Sequence, residues 1–340
     1  MKIIIPMAGR GSRLRPHTLT VPKPLIPIGG KPIVQRLAED ITKLSDQKVD
    51  EIAFIIGDFG SEVEKNLLEI AEKLGAKGTI YHQDEPLGTA HAVWMAKDSL
   101  TGPVVVAFAD TLFRADFDLD MSSDGVVWVK AVDDPSAFGV VKLDQYGVIT
   151  DFVEKPKEFV SNLAIIGIYF FKDGDGLKEE IRNIIENDIR VKGGEYQLTD
   201  ALRHMYQKGK KFTLGPVDEW MDCGNKTVTV QTNAKILEFE KQEFENIPSS
   251  SKISSSLIIP PCFIGENVTI ENSKVGPYVS LGNGTKVISS NIHNSLIQEN
   301  CIIEHGNLAD SMIGNNAEYY GVARNLSLGD YSVLDFKNKD

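Results

Sequence analysis

The chain has 340 residues, 42% of them hydrophobic and 25% charged, an ordinary globular mix that supplies a sizeable core and excludes a disordered chain. Its 48 acidic residues outnumber 36 basic ones, and the net charge of -12 argues against a nucleic-acid partner, though a local group of cations can still hold a phosphate ligand. Cys223, Cys262 and Cys301 are odd in number and form no CxxC pair, and no apolar run reaches the length of a signal peptide or membrane span. A disulfide framework, a zinc site and a membrane association are therefore not expected, and a reduced, cytoplasmic setting is.

Lys2 to Pro6 reads as a buried strand running into a Gly-rich turn. A helix is predicted over Pro32 to Leu44, with Pro in its first turn. The strand EIAFIIG (51–57), an amphipathic helix over Ser61 to Leu74, the strand GTIYHQ (78–83), a helix over Thr89 to Ala96 and the apolar run PVVVAFAD (103–110) follow. This alternation predicts βαβ units and a mostly parallel sheet. Between 125 and 171 four strand-like runs occur with few helical breaks, which predicts a mixed sheet lying over the site. Helices are predicted again over 174–187, 197–208 and Asn225 to Glu245. The run IPSSSKISSS that follows reads as a linker over 247–256.

The texture then changes. Ile264, Ile270, Val275, Leu281 and Val287 recur at intervals of five or six, and aliphatic-Gly pairs such as Ile264-Gly265 and Val275-Gly276 repeat with them. Neither a helical nor a strand period fits, whereas a hexapeptide β-helix does: one side chain per short face points inward, and Gly or Asn turns each corner. An irregular β-sandwich is the competing architecture, because the spacing loses register between 292 and 312. The expected organisation is thus a domain over 1–246, the linker, and a β-helix over 257–340.

Four segments carry chemistry. The first is Met7-Ala8-Gly9-Arg10-Gly11-Ser12-Arg13-Leu14-Arg15-Pro16 with Val21-Pro22-Lys23-Pro24-Leu25. A Gly-rich turn after a strand lets backbone N–H groups approach phosphates, and Arg13 and Lys23 add cationic donors. It is not a Rossmann dinucleotide fingerprint, because Leu14 stands where the third Gly belongs, and no GxxxxGK[ST] of a P-loop occurs. The second is Gln83-Asp84-Glu85-Pro86-Leu87-Gly88-Thr89-Ala90-His91, where a Gln amide offers the donor and acceptor that match the imide edge of uracil or thymine. His91 is expected to pack on its helix. The third is the acid pair, with Asp110 ending an apolar strand at the carboxyl edge of the sheet and Asp222 in Trp220-Met221-Asp222-Cys223-Gly224-Asn225. The fourth is Glu154-Lys155-Pro156, placed after Phe138-Gly139-Val140-Val141 and before Asn162-Leu163-Ala164-Ile165-Ile166-Gly167.

These segments together resemble the sugar-phosphate nucleotidyltransferases, or nucleotide-sugar pyrophosphorylases, and in particular the glucose-1-phosphate thymidylyl- and uridylyltransferases. Their signature, G-x-G-[ST]-R-L-x-P followed by P-K-x-L, stands here in order, and the likeness covers nearly the first 245 residues. The resemblance implies an α/β, Rossmann-like nucleotidyltransferase domain with a mixed, mostly parallel sheet, followed by a left-handed parallel β-helix. It implies that Ala8, Gly9, Gly11 and Ser12 line the nucleotide, that Arg13 holds the pyrophosphate leaving group and that Lys23 neutralises charge at the reacting phosphates. Gln83 and Gly88 would contact the base. Gly139, Glu154, Lys155, Asn162 and Gly167 would surround the sugar 1-phosphate, with Glu195, in Gly194-Glu195-Tyr196-Gln197-Leu198-Thr199-Asp200, near it. Asp110 and Asp222 would hold Mg²⁺. The chain departs from the pattern at Ala109-Asp110-Thr111, where Gly-Asp is common, and at Cys223, where Thr is common; both carboxylates are kept.

The implied reaction joins a nucleoside triphosphate, UTP or dTTP by the Gln83 argument, to a sugar 1-phosphate. The alternatives are GTP as donor, a regulatory subunit that binds nucleotide sugar without turnover, and a second, acyltransferase activity in the β-helix with His305 as base. The β-helix is expected to stabilise the chain or assemble it into a homo-oligomer.

Overall fold

The computed structural model describes residues 1–9, 11–44, 46–115, 119–190, 194–321 and 326–335; Arg10 of the first motif lies outside them. In chain order the first part contains β1 (Lys2–Pro6), β2 (Pro27–Ile28), β3 (Lys31–Pro32), α1 (Ile33–Thr42), β4 (Glu51–Ile56), α2 (Ser61–Lys73), β5 (Lys77–His82), α3 (Thr89–Met95), β6 (Val104–Ala107) and β7 (Thr111–Arg114). There follow β8 (Gly125–Ala131), β9 (Gly139–Leu143), β10 (Ile149–Glu154), β11 (Leu163–Phe171), α4 (Gly174–Glu186), α5 (Leu198–Gln207), β12 (Phe212–Pro216), β13 (Glu219–Asp222) and α6 (Lys226–Phe239).

The chain forms two compact units, and their boundaries are not those of a simple tandem. One comprises Met1–Gly9 and Gln35–Trp220, the other Arg10–Val34 and Met221–Asp340. The Gly-rich loop thus groups with the C-terminal part rather than with the sheet that precedes and follows it.

In the first unit a nine-stranded sheet runs β10-β9-β11-β6-β1-β4-β5, with β8 beside β11 and β12 beside β8. β6, β1, β4 and β5 pair in parallel. β11 pairs antiparallel with β6, β8 and β9, and β9 with β10. The strands over 125–171 therefore make the sheet mixed, as expected, by continuing the parallel strands from the β6 edge. The apolar runs of β1, β4 and β6 are buried on both faces, as strands covered by helices on two sides must be. Val106, Phe152, Phe171, Leu177, Ile181 and Leu202 join strands and helices in one core.

In the second unit, strands beginning at Lys252–Ser254 stack in parallel into six-, four- and five-stranded sheets among the described residues, which is a parallel β-helix. Lys252–Ser254 already pairs with Thr269–Glu271, so these three residues of the expected linker form the first rung. The physical reason is that Ile253 repeats the position of Ile270 and Val287 one coil on, a relation the Ser-rich composition masked. Successive coils lie 17 residues apart at Ile264 and Leu281, then 16 apart at Leu281 and Ile297. That one-residue shortening accounts for the lost register between 292 and 312. Ile264, Ile270, Val275, Leu281 and Val287 are all buried in the helix core, with Ile292, Ile303 and Tyr319 continuing the stack. Corners fall at residues with left-handed backbone, including Asn272 (φ 48°), Asn300 (φ 56°) and Asn316 (φ 55°), a conformation that Asn tolerates better than most residues. The three cysteines are buried and unpaired by disulfide. Among the described residues no helix is long and apolar enough to cross a membrane.

Candidate active site

Parallel strands end in a row at the carboxyl edge of the sheet, where open α/β sheets bind ligands. β1 runs out through Met7, whose N–H still bonds the Ile55 carbonyl at 2.7 Å, and delivers Ala8 and Gly9. A Cβ at Gly9 would meet no protein atom within 4 Å, so protein packing does not demand a glycine there. β5 ends in Gln83, whose N–H bonds the Ile56 carbonyl at 2.8 Å. β6 stops at Ala107, earlier than expected, and Asp110 follows in the turn, half-buried and braced by the Ala109 N–H on the Pro6 carbonyl at 3.4 Å. Ala8, Gly9, Gln83 and Asp110 thus share one edge.

The segment from Gln83 to His91 is held from both sides. The Gln83 side-chain N–H lies 3.1 Å from His91 Nδ1. Burial lowers the His91 pKa, which favours a neutral ring that accepts this hydrogen bond. His91 therefore orients the Gln83 amide and does more than pack on α3, the role the sequence suggested for it. Gly88 has φ 109°, and a Cβ there would fall 2.4 Å from the Tyr196 carbonyl oxygen. The close approach is made by a short pairing: Tyr196 N–H bonds the Leu87 carbonyl at 2.8 Å, and Ala90 N–H bonds the Tyr196 carbonyl at 2.9 Å. Thr89 adds to it, donating to Gln197 Oε1 at 3.0 Å and accepting from the Leu198 N–H at 2.9 Å.

The same 195–199 stretch also meets the strands that carry Gly139 and Glu154. Gly139 and Glu154 are directly opposed on β9 and β10. A Cβ at Gly139 would come within 2.9 Å of Glu154 Oε2, so glycine there makes room for the carboxylate. Thr199 donates its hydroxyl to the same oxygen at 3.2 Å. Burial pushes the Glu154 pKa up, and the neighbouring Lys155 ammonium, 3.7 Å from Oε1, only partly opposes it. Lys155 is exposed and sits in the left-handed region with φ 43°, pinned by its N–H on the Phe138 carbonyl at 3.0 Å. A non-glycine residue held there marks backbone strain of the kind that clusters at functional sites. Gly167 (φ 84°) interrupts the register of β11 and turns its carbonyl to the Phe108 N–H at 3.0 Å. Asn162 is exposed just before β11, its carbonyl accepting from the Val132 N–H at 2.9 Å. Arg203 on α5 fixes the arrangement, bonding Asp151 on β10 at 3.0 Å and Asp200 at 3.2 Å.

The remaining candidates belong to the second unit. Gly11 takes φ 60°, and its carbonyl accepts from the Leu14 N–H at 3.0 Å and the Thr18 hydroxyl at 2.8 Å. Ser12 and Arg13 lie in the single 3₁₀ turn that this starts, with Arg13 exposed. Lys23 begins another 3₁₀ turn, closed by Ile26 N–H on its own carbonyl at 3.0 Å. Asp222 is half-buried at the end of β13, its carbonyl taking the Thr232 hydroxyl at 2.8 Å. A Cβ at Gly224 would fall 3.0 Å from both of its carboxylate oxygens. His305 lies at a β-helix corner with φ 55°, in an open groove with Ser273, Asn291 and Asn307.

Residues 2–238 match the nucleotidyl transferase family. The chain belongs to that family. This nucleotidyl transferase is 28% identical, over 99% of its length and all of the relative's, to a glucose-1-phosphate thymidylyltransferase of Streptomyces antibioticus. It is 32% identical to the bifunctional protein GlmU of Methanococcus maripaludis, over 98% of this chain and 83% of that one. Among solved structures it superposes on a UDP-glucose pyrophosphorylase complexed with UDP-glucose at a TM-score of 0.58 and 22% identity, covering 70% of this chain and 99% of the other, which speaks to fold alone. A putative glucose-1-phosphate thymidylyltransferase from Bacillus anthracis gives a TM-score of 0.56 at 27% identity, covering 69% and 94%.

Proposed function

We propose that the chain transfers a nucleotidyl group from UTP or dTTP to a sugar 1-phosphate, with Mg²⁺, and releases pyrophosphate. The observation that carries this reading is the segment 195–199. Its Tyr196 backbone holds the base segment at Leu87 and Ala90, and its Thr199 hydroxyl holds Glu154 of the sugar segment. One short stretch thus serves two recognition surfaces, as a two-substrate transferase requires. The S. antibioticus relative is named for glucose 1-phosphate, which makes a hexose 1-phosphate the first acceptor to try.

In the proposed step an oxygen of the sugar phosphate attacks the α-phosphorus of the nucleotide. The new P–O bond forms as the bond to the α,β-bridging oxygen breaks, and pyrophosphate leaves with that electron pair. The nucleophile is already an anion, so no proton has to be removed first. The work of the protein is to align two polyanions and offset their repulsion. Arg13 and Lys23 do this for the triphosphate and Lys155 for the sugar phosphate. Asp110 and Asp222 are the residues that would hold Mg²⁺, since hard carboxylate oxygens suit that ion. Glycine at 224 keeps a side chain off the Asp222 carboxylate. The ion would supply charge neutralisation at the phosphates. Gln83, oriented by His91, presents its carbonyl oxygen to an N–H of the base.

The test is pyrophosphate release over a grid of nucleoside triphosphates and sugar 1-phosphates. Release should need both substrates and Mg²⁺, favour UTP or dTTP, and fall by about 10²-fold or more in Asp110→Ala. Use of GTP or CTP alone would refute the role given to Gln83. No release with any pair, together with tight binding of a nucleotide sugar, would refute turnover altogether.

A further inference from the structure

The loop that carries Arg13 and Lys23 is seated on the β-helix, and in particular on the last coil among the described residues. Both lie in the same compact unit. His17 is buried, and its Nε2 lies 3.0 Å from the Ser327 hydroxyl. Thr20 donates its hydroxyl to the Asp330 carboxylate. Pro16 packs on Gly329 so closely that a Cβ at 329 would stand 2.9 Å from Pro16 Cβ, and the three nearest atoms to it all belong to Pro16. A second seat holds the end of the loop. The hairpin of β2 and β3 turns at Gly29 (φ 52°) and Gly30 (φ 80°), the two positive φ values a two-residue type I′ turn needs. Gly29 N–H donates to Asn233 Oδ1 at 3.0 Å, and that oxygen also accepts the Ser280 hydroxyl at 2.7 Å. The Phe263 ring fills the space a Gly30 side chain would need.

From Ser12 to Leu25 the loop is three short 3₁₀ turns, Ser12–Leu14, His17–Leu19 and Lys23–Leu25. Their connection is local: Thr18 reaches back to Gly11, and a Cβ at Gly11 would touch Lys23 Cβ at 3.0 Å. A shift of residues 16–20 therefore moves the turns that bear Arg13 and Lys23.

We propose that Ser327 and Gly329 are positioning residues for nucleotidyl transfer: the β-helix coil that bears them acts through Pro16 and His17 to hold Arg13 and Lys23 in place for the triphosphate. The β-helix is then part of the nucleotide site's support. This rests on the reading of the loop as the triphosphate site. Two changes probe it in opposite ways. Gly329→Ala adds one methyl, aimed at Pro16; Ser327→Ala removes the partner of His17, and Ser327→Thr keeps a hydroxyl there.

The experiment measures KM for each substrate in the full-length protein, with thermal melting as a fold control and amide exchange at Leu14, Leu19, Leu25 and Ile26 as a local readout. Both Gly329→Ala and Ser327→Ala should raise the nucleotide KM about tenfold, leave the sugar 1-phosphate KM within about twofold and speed exchange in the loop, since small displacements of positioning groups are costly. Ser327→Thr should restore the nucleotide KM. Unchanged nucleotide KM and exchange in folded, active variants would overturn the proposal. An equal rise in both KM values that follows the melting temperature would also overturn it, since that pattern reports general destabilisation. If the wild-type protein releases no pyrophosphate while the loop exchange still responds to the variants, the enzymatic reading fails and the seating of the loop stands.

Discussion

Single residues at this site are fixed by what surrounds them more than by their own chemistry. Gly88 is the clearest case, since it has both a left-handed φ of 109° and a backbone oxygen 2.4 Å from where its Cβ would be. Gly88→Ala should cost about 1–3 kcal/mol of stability and raise the nucleotide KM, which chemical denaturation and steady-state kinetics would check. Glu154 differs from an ordinary surface glutamate because burial raises its pKa. Its carboxyl therefore takes up a proton at a higher pH than usual as the solution is acidified, and loses the charge with which it would accept sugar hydroxyls. The sugar 1-phosphate KM should rise on mild acidification, and Glu154→Gln should flatten that part of the profile. If the two pH profiles coincide, the acid effect belongs to the substrate. The same raised pKa means that the ionised form is the one the fold disfavours, so Glu154→Gln should be neutral or slightly stabilising at pH 7.

Elements place these residues in pairs. α5 sets Thr199 over Glu154, and Arg203 ties that helix to β10 through Asp200 and Asp151. Arg203→Ala should leave Asp200 and Asp151 without their shared cation and raise the sugar 1-phosphate KM more than the nucleotide KM. In the Gly-rich loop, His17 is buried with its pKa lowered from 6.5 to about 4, chiefly by desolvation, against an opposing pull from Asp330. The unfolded chain binds a proton at His17 below about 6.5, whereas the folded one stays neutral until about 4. Stability of this unit should fall as pH drops through that window, by up to about 3 kcal/mol. His17→Asn should remove that limb from a plot of unfolding midpoint against pH; an unaltered limb would assign it to other groups. The helices themselves were legible from periodicity, most ending within a residue or two of expectation. α6 is the exception, stopping at Phe239 where a helix to Glu245 was expected. The roles of His91 and Thr199 were not legible, because each depends on a partner brought close by the fold: Gln83 across a turn, and Glu154 from another strand.

At the scale of the whole molecule the chain crosses between its two compact units at three points, after Gly9, Val34 and Trp220. A protein cut after residue 246 would keep every motif residue yet lose Phe263, Ser280, Ser327 and Gly329, which seat the loop. Its nucleotide affinity should drop by tenfold or more while its sheet core still folds, measurable by nucleotide titration alongside circular dichroism. What the sequence alone determined is the local chemistry: a parallel sheet from alternating apolar runs, a β-helix from a short aliphatic repeat, and loops whose Gly, Arg, Lys and Asp content suits phosphates. Those features are written in neighbouring residues, so a one-dimensional reading reaches them. The tertiary structure decided which distant segments share a unit, that Lys252–Ser254 is a rung and not a linker, and that the Gly-rich loop is seated on the β-helix. These rest on contacts such as His17 with Ser327, 310 residues apart, and no local pattern encodes such a pairing because it is selected only when the whole chain packs.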